Sequence, residues 1–134
     1  MAESASPVAV VEKYFAALAA KDFAGVAGLF ADDIVWHQPG GHQFSGTHRG
    51  AASVGKLLGD MMTVSEGTFD LSVTGSPMAN GALVAVPVHF SGRRAEAAMS
   101  QHGVDLLRID GGRVAEVWLF SSDPQSEDEF WGAP

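Results

Sequence analysis

The apolar residues of this chain change period once along its length, and that change restricts the fold more than any other feature. Up to Met62 they recur chiefly at every third or fourth position; from Phe69 onward they alternate with polar residues. The first spacing lines one face of a helix, the second one face of a strand. Helices gathered in the first half and strands in the second predict an α+β fold, since a parallel α/β sheet would interleave them.

The individual elements follow from local signals. Ser6-Pro7 is an N-cap followed by proline at the first helical position, where its missing N–H costs nothing. The helix it opens carries Val8, Val11, Phe15 and Leu18 on one stripe, with Tyr14 at its edge, and ends near Lys21-Asp22. A second short helix is expected through Phe23, Val26, Leu29 and Phe30. A strand at Ile34–Gln38 is stopped by Pro39-Gly40-Gly41, and a third helix runs from Ala51 to Met62 with Val54, Leu57, Leu58 and Met61 inward. Phe69, Leu71 and Val73 mark the next strand. Beyond the Asn80-Gly81 turn, runs at Ala82–Phe90, Ala97–Ile109 and Val114–Phe120 are separated by Ser91–Arg94 and Asp110–Gly112, which predicts antiparallel hairpins. The tail, 121–134, holds the acidic run Glu127-Asp128-Glu129 but ends in Phe130-Trp131. Two large apolar groups are out of place on a free tail, so it is expected to fold back over a pocket or into a dimer contact.

At 134 residues and 46% hydrophobic, the chain is expected to be one domain, 1–134, with a substantial core. A net charge of -8, with only Arg93 and Arg94 adjacent among the basic residues, argues against nucleic acid or an acidic membrane as partner. There is no cysteine, hence no disulfide framework or thiolate metal site, which suits a reducing cytoplasm. No run approaches the roughly 20 apolar residues of a membrane span, and the first residues lack a basic-then-apolar export signal. A cytoplasmic location is the expectation.

Three short motifs, Tyr-Phe-Ala-Ala-Leu at 14–18, Phe-Ala-Asp-Asp at 30–33 and Gly-Gly-Arg-Val at 111–114, occur in an order that resembles the nuclear transport factor 2-like superfamily. Within it the chain is most similar to the SnoaL-like polyketide cyclases and the ketosteroid isomerases. The resemblance implies a cone-shaped half-barrel, in which a curved, mostly antiparallel sheet wraps N-terminal helices around an apolar pocket. It also implies chemistry without a cofactor. Tyr14 matches the isomerase tyrosine that donates to the substrate oxygen. Asp105, within Val-Asp-Leu-Leu-Arg-Ile, matches both the oxyanion-hole acid of the isomerases and the acid/base aspartate of the cyclases. Gln38 falls where the isomerases carry their base, and an amide cannot abstract a proton near neutral pH.

Asp105 lies in an otherwise apolar strand, where a buried carboxyl must find hydrogen bonds or become neutral. The opposite reading, a solvent-facing Asp105 paired with Arg108, stays open at this level. His89 and His102 are the histidines considered as its partners, His89 as the catalytic one, although His102 has the wrong parity unless Gly103 makes a bulge. Trp36 and Gln38 share one face of their strand and His37 takes the other. These three, with His102, Trp118, Phe120 and Trp131, are the substrate-binding candidates. His37, His42 and His48 lack a metal-binding spacing, and no metal is expected there. The expected activity is cofactor-independent proton transfer on a largely apolar carbonyl compound, by aldol-type cyclisation or a double-bond shift. The alternative is a non-catalytic binder of a steroid-like or aromatic metabolite. In either case the exposed sheet face is expected to form a homodimer.

Overall fold

The structure, a computed structural model that describes residues 6–134, has the α+β architecture expected from the period change. The reading of the first residues as free of an export signal concerns positions that fall largely outside this range. Helix α1 (Pro7–Ala19) starts where Ser6 Oγ accepts the Ala9 N–H at 3.1 Å, and it buries Val10, Val11, Tyr14 and Phe15. Asp22 caps the short α2 (Phe23–Ala27) in the same way, accepting the Gly25 N–H. That helix is shorter than its apolar pattern suggested. Leu29 lies just past it and Phe30 already opens β1 (Phe30–Gln38), because pairing with the last strand overrides helical spacing there.

After β1 come β2 (Gly46–Arg49), which pairs with it, and α3 (Ala51–Val64), which buries Val54, Leu57 and Met61. The remaining strands are β3 (Asp70–Val73), β4 (Met78–Asn80), β5 (Leu83–Arg94), β6 (Ala97–Asp110) and β7 (Arg113–Ser121), followed by α4 (Pro124–Trp131). The sheet order is β2-β1-β7-β6-β5-β3, with β4 also on β5. Every pairing is antiparallel except β1 with β7. The sheet curves without closing, as a cone-shaped half-barrel around the helices.

One turn lies elsewhere than the sequence suggested. Ser91–Arg94 is not a loop: β5 runs on to Arg94 and turns at Ala95-Glu96. Thr68 ties this extension down, its Oγ1 donating to the Arg93 carbonyl and accepting the Arg93 N–H. Polar composition had suggested a turn, but these backbone bonds and the tail beneath keep the chain extended.

That tail folds back as α4. Asp123 caps it by accepting the Ser126 N–H, and Pro124 occupies the first position. Asp123 also exchanges two hydrogen bonds with the Gln101 amide, while Arg94 Nε donates to the Phe130 carbonyl and Gln43 Nε2 to that of Trp131. Phe130 and Trp131 are fully buried, which contributes about 1.5–3 kcal/mol each. Gly92 is a glycine for this reason: a Cβ there would come within 2.9 Å of the Phe130 ring.

Candidate functional site

The inner face of the sheet, α1, α3 and α4 enclose a cavity of about 80 Å³. Its wall is mostly apolar: Leu18 from α1, Leu58, Met61 and Met62 from α3, Phe69 and Leu71 at β3, Phe90 from β5 and Leu119 from β7. Lys21 and Phe23 lie at the α1–α2 end. Against this wall stand Tyr14, Trp36, Gln38, Asp105, Ser121 and Glu127.

Asp105 owes its position to alternation along β6. It is paired with Val86 on one side and Leu119 on the other, all three on the inner face, and it is only 5% exposed. The surface reading is thereby set aside, and Arg108 faces the other way, donating to Glu116 on the outer face. Neither the Asp105 carboxyl nor the Tyr14 hydroxyl hydrogen-bonds a described residue, yet both line the cavity. Burial pushes the Asp105 carboxyl up to about 7, and the charge of Glu127 adds to the shift. Tyr14 is held well above its ordinary value, first by burial and then by the charge of Asp105. At neutral pH the phenol therefore keeps its proton and can donate, while Asp105 is poised to take a proton or to give one.

Sequence reasoning missed Glu127. It is 4% exposed, and its burial raises its carboxyl pKa. Unlike Asp105 it is supplied with donors: Ser121 Oγ donates to Oε1 and Gln38 Nε2 to Oε2 at 3.5 Å. The Trp36 indole N–H donates to Gln38 Oε1 at 3.0 Å, which turns the amide NH₂ toward Glu127. The acidic run was set only against the apolar Phe130-Trp131 that follows it. A usable signal was present, however, because Glu127 lies three and four residues before Phe130 and Trp131 and so shares their helix face.

The other candidates divide between the two faces. Trp36 and Gln38 line the cavity. His89 and His102 do not: they are paired across β5 and β6 on the outer face, ring centroids 5.2 Å apart, with His89 Nε2 bonded to Ser100 Oγ at 2.8 Å. Gly103 makes no bulge, so strand parity turns both histidines away from Asp105. His37 and Trp118 are also outward, stacked at 5.4 Å, with His37 Nε2 2.6 Å from Glu116 Oε2. Phe120 borders the cavity but is 53% exposed. Trp131 lies outside the cavity wall, within a cluster with Phe44, Phe69 and Phe130.

The three loop histidines do not converge. His42 is buried, accepts the Phe44 N–H at Nδ1 and leaves Nε2 without a partner, and burial lowers its pKa; His48 Nε2 donates to the Phe44 carbonyl. Among the described residues no group of three or more histidine, aspartate or glutamate side chains is arranged to hold a metal ion. No described helix is long and apolar enough to cross a membrane.

Comparison with known proteins agrees with this architecture. An uncharacterised protein of Mycobacterium tuberculosis (strain H37Rv) is 29% identical over 122 residues, covering 91% of this chain and 93% of its own. The crystal structure of a protein of unknown function with a cystatin-like fold from Xanthomonas campestris is 47% identical, with a TM-score of 0.91 over 95% of this chain and 98% of that one. A ketosteroid isomerase-like protein from Kribbella flavida is 25% identical, with a TM-score of 0.67 over 86% and 76%. The SnoaL-like domain matches residues 11–117. Fold, motif order and this match together make the chain a member of the SnoaL-like family, within the nuclear transport factor 2-like superfamily.

Proposed function

We propose that this protein is an enzyme acting on a small, largely apolar carbonyl compound by cofactor-independent proton transfer, either an aldol-type cyclisation or a double-bond shift. The observation that carries this reading is the buried Asp105 carboxyl, which faces the cavity beside Tyr14 with no hydrogen bond from a described residue. A carboxyl left without protein donors gains nothing for stability, whereas one that titrates near neutrality suits proton transfer. In this reading Asp105 takes the proton α to the carbonyl and returns it at the product position, while Tyr14 donates to the developing enolate oxygen. Trp36 and the Leu58, Met61 and Leu119 wall hold the apolar body, and the methionines adapt to its outline. Acid/base help contributes about 10²–10⁴-fold and one oxyanion donor about 10²–10³-fold, enough together for a working enzyme.

The test is exchange of α-protons for deuterium in a panel of small apolar ketones, followed by NMR. The wild type should catalyse exchange in at least one ketone. Asp105→Asn should lose it while binding that ketone within about tenfold, since the interaction removed belongs to the transition state. Unchanged exchange in the variant would overturn the role given to Asp105.

A second reading, addition of water to the substrate, is favoured by the second buried carboxylate, Glu127. Incorporation of ¹⁸O from labelled water into product would select it over isomerisation. We further propose a homodimer through the outer sheet face, where Phe120 and Val104 are 53% and 39% exposed. Sedimentation at increasing concentration checks this, and a monomer at every concentration would refute it. One domain spanning 1–134 and a cytoplasmic setting belong to the same reading.

A further inference from the structure

We infer that Glu127, delivered by α4, is a positioning residue for proton transfer at Asp105: its carboxylate, held by Ser121 and Gln38, governs how tightly Asp105 keeps its proton. The inference rests on the acid/base role proposed for Asp105 and adds the residue that tunes it.

The geometry carries the argument. The two carboxyls are buried against one cavity, yet their surroundings are unequal. Glu127 has a donor on each oxygen, Ser121 on Oε1 and Gln38 on Oε2, and the Trp36 indole fixes which way the Gln38 amide faces. Asp105 has no donor among the described residues. A single negative charge in this space settles on Glu127, and the proton settles on Asp105. Burial with a like charge nearby accounts for the raised proton affinity of Asp105.

Glu127 cannot turn out to solvent while α4 stays docked, because it shares a helix face with the buried Phe130 and Trp131. A tail that only plugged the cavity would gain nothing from burying a carboxylate there. Few other charges compete. Tyr14 from α1 is neutral, and Lys21, at the α1–α2 end, donates to the Gly67 carbonyl at 2.9 Å and is not among the charges that shift either carboxyl. The parts of α3, β3 and β5 that line the cavity carry no ionisable group. Asp128, next to Glu127, accepts the Gly41 N–H; its charge also raises the Glu127 carboxyl, but burial and the Ser121 hydrogen bond both outweigh it there.

The test is a pH titration of the intact chain by NMR with ¹³C-labelled carboxyls, comparing wild type with Glu127→Gln. The Asp105 midpoint should fall by about one unit or more in the variant, which removes the like charge and keeps the side chain's size. A folded variant with an unchanged midpoint would overturn the inference. Should Glu127→Gln fail to fold, the wild type decides: coupled carboxyls give two inflections in each curve, and independent single-step curves refute the inference. No substrate enters the titration. An absence of ketone exchange would therefore count against the proposed activity and leave this result standing.

Discussion

On the outer face of the sheet the polar side chains are matched to one another, whereas on the inner face the two best placed for chemistry are not. Outside, His37 and Arg108 both meet Glu116, and His89 meets Ser100. These groups keep some exposure to water, where such pairs are worth little and break at little cost. Inside, Asp105 and Tyr14 are largely desolvated, have no hydrogen bond to a described residue and face only the cavity. The same sheet thus pairs its outer polar groups with one another and leaves Asp105 and Tyr14, alone among the polar side chains of the cavity wall named above, to face the cavity. An unmet polar pair bordering a cavity is the arrangement expected of a site that a ligand completes.

The contrast can be broken by exchanging one residue at a time. The largest effect should come from Asp105→Asn, which should lower ketone α-proton exchange by about 10²–10⁴-fold, while His89→Ala on the outer face leaves the rate within about twofold. Tyr14→Phe comes next, with a loss of about 10²–10³-fold in the same assay.

Stability should move the opposite way. The Asp105 carboxyl lies at about 7 in the fold against 3.8 for an unperturbed aspartate. The folded state therefore binds this proton more tightly, and the group's contribution is complete below about pH 4 and lost as pH rises through about 7. At most about 4 kcal/mol is involved. Asp105→Asn should raise the unfolding midpoint in urea at about pH 8 and change it far less at about pH 5. An equal effect at both would mean that the carboxyl does not titrate in this range.

Gly92→Ala should destabilise the fold by about 1–3 kcal/mol, seen as a lower Tm, because the added methyl meets the Phe130 ring. The smallest effect belongs to Glu116→Gln. Removing its two outer-face pairs should cost about 1 kcal/mol or less and be weaker still in high salt.

Much of this contrast could be read from the sequence, but not all. The alternation around Asp105, with Leu107 and Ile109 in step, marked it as an inner-face residue once one neighbour was known to be buried. The helical stripe of α1 brought Tyr14 to the same space. The parity of His89 could not be read, because it depends on the cross-strand register that sets Val86 opposite Asp105 and His89 opposite His102. A one-residue slip would reverse every side chain. Trp118 went to the outer face for the same reason, as the β7 partner of His37, which alternation had already set on the face opposite Trp36 and Gln38.

Glu127 was hidden differently. Three consecutive acids suggest a solvated surface, and only the docking of Phe130 and Trp131 turns the first of them inward. Gln38 had appeared to be a base lost. In the fold it instead orients a carboxylate that arrives from another element.

The central claim is that Asp105 is a desolvated carboxyl left open to the cavity. It is tested most directly by the midpoint of its own titration in the intact, unliganded chain, with the ¹³C resonance assigned by its loss in Asp105→Asn. A midpoint of about 7 is predicted. A midpoint near the ordinary 3.8 would show a solvated or hydrogen-bonded carboxylate and contradict the account.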